Sequence, residues 1–230
     1  MSTTYQLEDH VRVRTRPLVA WSLLAGGAIF FVGGAMHPEE DPPDVSLKEH
    51  LRVMYEDGNW YPGHALILIG MVLMAAALVA LVRSGALARV RSVHVAGMIA
   101  AVASSLGAVA AFLHLIMATE ADRIAAHRST PLTDANVVVE TIVTPAFGLS
   151  IAALAVLGAV TGSLGNRTTA VLAAVGGIGY ALAGGTFAWT DALDPLFPLA
   201  GLLGVWAIVT AISLLRHTRA SNRALDVATP

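Results

Sequence analysis

Residues 62–82 read "PGHALILIGMVLMAAALVALV", twenty-one positions without one acidic or basic side chain apart from the histidine at 64. At a rise of about 1.5 Å per residue, a run of this length crosses about 30 Å of hydrocarbon as a single helix. It is apolar all round rather than along one stripe, so its natural surroundings are lipid or other helices. That reading decides the fold.

Comparable runs occupy 18–37, 93–118, 141–164, 168–190 and 195–215. The whole chain of 230 residues is 56% hydrophobic and 13% charged, too little polar surface to cover a water-soluble core. The expectation is an all-α polytopic membrane protein, a bundle of six transmembrane helices over 18–215. A tail at 1–17 precedes it and another at 216–230 follows. The first run follows Arg12, Arg14 and Arg16, as a signal peptide would. It is too long for one, and it ends in Met36-His37-Pro38 instead of a small-residue cleavage site, so it reads as a retained first span.

Charge orients the bundle. Ten of the 14 basic residues fall on one side: Arg12, Arg14, Arg16, Arg83, Arg89, Arg91, Arg167, Arg216, Arg219 and Arg223. Only Glu8, Asp9 and Asp226 accompany them, and the remaining acids fall on the other side. By the positive-inside rule both termini are cytoplasmic. Lys48 is the only lysine, and alanine, valine and glycine abound, a usage expected of a GC-rich bacterial genome and hence of a bacterial inner (plasma) membrane. There is no cysteine, which excludes disulfides, thiolate metal sites and cysteine nucleophiles.

The first outer loop contains "DVSLKEHLRVMYEDG", residues 44–58. Ser46 with Glu49 three residues on fits a capping box, and Leu47, Leu51, Met54 and Tyr55 share one side at helical spacing. A short amphipathic interfacial helix on the membrane surface is expected, with Trp60 and Tyr61 as interfacial anchors. In the second outer loop Pro131 breaks the chain, and Thr133 or Asp134 is placed to cap span four.

Small residues mark where membrane helices approach closely. Gly26, Gly33 and His37 share one face of span one, as do Ala103, Gly107, Ala110, Ala111 and His114 on span three. Both histidines are therefore expected to point into the bundle. His64, in the first turn of span two, lies at a similar depth, but its helical face carries Ile67, Leu68 and Met71, which suit lipid equally well. A helix N-terminus disfavours the protonated imidazole of His64 and keeps a lone pair available.

Three imidazoles on three helices at one level suit a metal ion, since neutral imidazole binds zinc, copper and iron. His37, His64 and His114 are the candidate metal ligands. Glu140, in the apolar run "VVVETIVTP", is a fourth ligand or a catalytic general base, because an ionisable group there is costly unless paired. His37 and His114 are also the best-placed pair to bind haem b as a cofactor. Interfacial anchoring accounts for the same three positions without any site. Glu39, Glu40 and Asp41 read as solvated loop acids, Asp191 as an acid turned inward from span five, and Met117 as core filler one turn from His114.

No phosphate-binding loop, nucleophile elbow, zinc-protease helix or nucleic-acid-binding basic patch is present. Two functions follow as expectations. One is a membrane metal or haem protein, an oxidoreductase or hydrolase acting on a lipid-soluble substrate such as a quinone. The other is a non-enzymatic subunit or carrier, whose glycine faces meet a membrane protein partner or a second copy of the chain.

Overall fold

The computed structural model describes residues 3–38 and 45–228, with side chains described for 17–38 and 45–216. Glu39, Glu40 and Asp41 lie outside the described residues, as do the side chains of Arg12, Arg14, Arg16, Arg219 and Arg223. Among the described residues there are only helices: α1 (Thr3–Ala35), α2 (Leu47–Glu56), α3 (Trp60–Arg83), α4 (Arg91–Met117), α5 (Ala121–Ala125), α6 (Pro131–Thr161), α7 (Arg167–Thr186) and α8 (Gly201–Ala228). Single 3-10 stretches at Ala118–Glu120 and Asp194–Ala200 link α4 to α5 and lead into α8.

Six of these segments are long and apolar enough to cross a bilayer: Pro17–Ala35, Trp60–Arg83, Arg91–Ala125, Pro131–Thr161, Arg167–Thr186 and Asp194–Arg216. They match the six expected spans, and the chain is a multi-pass membrane protein. The stretches read as tails continue the first and last helices, with Pro17 accommodated inside α1.

The largest departure is at α6. Expected from 141, it begins at Pro131, because proline at the first helical position loses no hydrogen bond and presets the backbone. Neither Thr133 nor Asp134 caps it. Instead the buried carboxylate of Glu120 accepts from the Thr133 N–H at 2.8 Å, so one orphan donor is satisfied from the preceding loop. The last span, expected from 195, opens with the 3-10 stretch, whose N-cap is Leu193, so Asp194 does not cap it as its place before Pro195 suggested; Asp191 is exposed rather than turned inward.

The spans close into a ring: α1 packs on α3, α3 on α4, α4 on α6, α6 on α7, α7 on α8, and α8 back on α1. Its middle is filled by Phe30, Met71, Met74, Phe147, Ile151, Leu154 and Trp206. Glycine sets the closest crossings. A Cβ on Gly33 would stand 2.7 Å from Ile67 N and 2.8 Å from Gly63 O, and one on Gly70 would stand 2.6 Å from Phe30 N. The expected Gly26–Gly33–His37 face of α1 is therefore the face laid against α3. Gly148 and Gly177 meet in the same way between α6 and α7, where a Cβ on either would strike the carbonyl of the other.

Over-packing such a contact costs about 1–3 kcal/mol or more. Gly177→Val is expected to lower the unfolding midpoint in detergent micelles clearly. Gly58→Ala, whose added methyl meets nothing within 4 Å, should leave it within about 0.5 kcal/mol of wild type, as open surface sites do.

Candidate metal centre at the end of the bundle

His37 follows directly on the last turn of α1, His64 sits one turn into α3, and His114 lies in the last turn of α4. The three elements are neighbours, and the α1–α3 glycine contact lays the end of one on the start of the other. One ligand nitrogen from each histidine falls within 4.8 Å of those of the other two. A tetrahedral ion with bonds of about 2.0–2.1 Å separates its ligand nitrogens by roughly 3.4 Å. The observed separations exceed that spacing by at most about 1.4 Å. His64, whose face looked equally suited to lipid, is the most enclosed of the three at 3% exposed, because Ile67 and Met71 below it pack on α1 and the core.

The hydrogen bonds decide which nitrogens are available. His37 Nδ1 lies 3.0 Å from the Pro38 carbonyl, and His64 Nδ1 lies 2.7 Å from the Trp60 carbonyl. His114 Nδ1 lies 2.5 Å from Glu140 Oε1, with the Asn136 amide 3.3 Å away. The closest partner of each Nδ1 is an oxygen acceptor, which favours the hydrogen on Nδ1 and a lone pair on Nε2; at His114 that tautomer goes with the Asn136 amide turned to present its oxygen instead of its nitrogen. The Nε2 atoms of His64 and His114 are buried and meet no hydrogen-bond partner. A buried polar atom left unpaired costs about 1–3 kcal/mol. A cation bound between them would relieve that cost at both atoms.

His37, just beyond the first span, is held down to about 4 by burial first and by the neighbouring His114 second. Its imidazole is neutral at physiological pH, the form that ligates.

Glu140 is placed by a polar stripe on α6. Thr133, Asn136, Glu140 and Thr144 recur at steps of three and four, facing inward, and three of them are buried. The carboxylate reaches the cluster through His114 Nδ1, on the side of the ring away from Nε2. An acceptor on the distal nitrogen fixes tautomer and ring plane, and it raises the basicity of the ligating nitrogen.

Trp60 was not legible as part of this arrangement. Expected as an interfacial anchor, it is fully enclosed, stacked on His114 at 15° with centroids 5.0 Å apart, and 3.9 Å from the His64 ring. Tyr61 beside it is exposed, as an anchor would be. The helix α2 forms where expected, with Ser46 accepting from Glu49 N. The rest of the capping box is replaced by an ion pair of Glu49 with Arg52, and Arg52 holds the Glu49 carboxyl below its ordinary range. The apolar side of α2 meets protein: Leu51, Met54 and Tyr55 pack with Trp60, Met117, Ala118 and Ile124 over the histidines. Lys48 ties α2 to the start of α6, 2.8 Å from both Thr130 Oγ1 and Asp134 Oδ1. Met117 is buried in this second core.

A porphyrin does not fit between His37 and His114. The His64 ring lies 4.8 Å from one and 4.6 Å from the other, while those two are 6.4 Å apart. The macrocycle plane would pass through His64. His94 stands at the opposite end of α4, distant from the three-histidine group, and His127 is exposed in the connection between α5 and α6.

No protein-family model, curated protein or solved structure matches this chain.

Burial raises the Tyr55 hydroxyl well above its ordinary value near 10. The folded form then holds its proton where the unfolded chain releases it, so this stabilisation is complete below about pH 10 and fades as pH rises further. Thermal unfolding followed from pH 8 to 11 should show a loss of stability above about pH 10, and Tyr55→Phe should flatten that part of the profile.

Proposed function

We propose that the protein is a membrane-embedded metalloprotein in which His37, His64 and His114 hold one divalent first-row ion through Nε2. The observation that carries this reading is the convergence of three ligand nitrogens within 4.8 Å, together with the acceptor already engaged by each distal nitrogen. A neutral all-imidazole donor set suits zinc, iron or copper. Three protein ligands leave a fourth position open, as catalytic zinc sites do. A bound ion of this kind supplies Lewis acidity and lowers the pKa of a coordinated water.

The chain's own residues set the rest of the chemistry. Pro38 O and Trp60 O hold His37 and His64 in the ligating tautomer. Glu140 does the same for His114 and shares the positive charge that accumulates there, which places it to take up a proton by way of that ring. The reaction class that fits is hydrolysis or oxidation of a lipid-soluble substrate, because the centre lies within the helix ends and not out in a loop.

The bundle is placed in a bacterial inner membrane with both termini in the cytoplasm. Arg83, Arg89, Arg91, Arg167 and Arg216 support this, all lying at the end opposite the histidines. A non-enzymatic subunit whose glycine faces meet partners finds less support. Gly26, Gly27, Gly33, Gly148, Gly176 and Gly177 are already closed against helices of the same chain.

Purified protein is expected to bind close to one equivalent of zinc or cobalt per chain by elemental analysis and equilibrium titration, and to show no Soret band. His37→Ala combined with His114→Ala should abolish that binding while the protein stays folded. A stoichiometry far below one in wild type ends the reading. Glu140→Gln, which keeps shape but loses the charge, should weaken affinity about 10- to 100-fold, as outer-shell substitutions do. A phosphatase reporter fused after residue 230 should be inactive and a fluorescent-protein reporter bright, both as expected for a cytoplasmic C-terminus.

A further inference from the structure

Trp60 makes two kinds of contact that meet nowhere else among the described aromatic side chains. Its indole lies against the imidazoles of His64 and His114, and its other edge takes the Tyr55 ring of α2 at 4.7 Å and 70°. Its Nε1–H donates to the Leu115 carbonyl at 3.4 Å, one residue beyond His114, which ties the start of α3 to the end of α4. With no exposed surface, the indole has no free volume in which to turn. A change in its plane disturbs its contacts with both histidine rings and with Tyr55.

Resting on the metal-centre reading, we propose that Trp60 is the positioning residue of the centre, setting the ring planes of His64 and His114 and making metal affinity depend on the docking of α2. The backbone carbonyl of Trp60 fixes the His64 tautomer whatever the side chain is. Substitution of the side chain therefore isolates the role of the indole. Imidazole is an angularly demanding ligand, since its lone pair lies in the ring plane, so a modest rotation takes Nε2 off the shared ion. Tyr55 touches no histidine among the described ring contacts. The indole of Trp60 is the ring that connects it to two of them.

The experiment uses the full chain in detergent micelles or nanodiscs, with cobalt(II) as the probe. Cobalt d–d absorption reports coordination geometry, and competition with zinc reports affinity. Trp60→Leu is expected to weaken cobalt binding about 10- to 100-fold and to change the d–d spectrum. Trp60→Phe, which restores an aromatic ring at the same place, should bind near the wild-type level. Tyr55→Ala should weaken binding in the wild-type background and have no further effect on Trp60→Leu, the non-additivity expected of residues acting in series.

A wild-type spectrum and affinity in Trp60→Leu would overturn the proposal. So would an equal loss from Tyr55→Ala in both backgrounds. If Trp60→Leu fails to fold by circular dichroism, the comparison of Tyr55→Ala in wild type and in Trp60→Phe decides. Unchanged affinity in the wild-type background then counts against the coupling. Failure of wild type to take up cobalt or zinc removes the metal reading itself. Binding by wild type with indifferent variants removes this inference alone.

Discussion

The contact between α1 and α3 is the constraint on which the rest of the arrangement depends. In hydrocarbon, two helices gain nothing by hiding apolar side chains from water, so their association relies on close van der Waals approach. Gly26 and Gly33 on one helix, and Gly63 and Gly70 on the other, remove the side chains that would hold the backbones apart. The two axes then meet at a separation set by backbone atoms. His37, two residues past the helix, is carried onto His64 by that separation. A wider crossing by one side-chain layer would move the first imidazole away from the second, and the third would have nothing to join.

The acid in the apolar stretch "VVVETIVTP" illustrates a second constraint. A carboxylate among valines and isoleucines is costly unless something answers it. Here the answer comes from another helix, since His114 turns its Nδ1 toward Glu140. The same economy recurs nearby, where Glu120 satisfies an α6 backbone donor and Lys48 satisfies Thr130 and Asp134. The early start of α6 makes these exchanges possible by carrying Thr133 and Asn136 up beside the histidines.

The six spans were legible in the sequence because lipid leaves the backbone few options: a helix satisfies its own polar groups, and twenty apolar residues suffice. The inward direction of His37 was legible from the glycines beneath it. What resisted reading was anything that depends on which helix lies next to which. The face of His64 is apolar and fits lipid or protein equally, and only the ring order of the spans decides between them. The amphipathic pattern of α2 likewise states that one side needs an apolar surface, without saying whether that surface is acyl chain or Trp60 and Met117. Glu140 was recognisable as an acid needing a partner. That its partner would be Nδ1 of His114 follows from side-chain geometry that spacing does not encode.

The ring closure of the bundle bears on the order in which the molecule is made. His37, His64, His114 and Glu140 belong to the first four spans, whereas α8 closes the ring by packing back on α1 through Gly204 and Gly27. Synthesis proceeds from the N-terminus, and segments assemble as they emerge. Every residue of the histidine cluster is therefore translated before the helix that seals the circle.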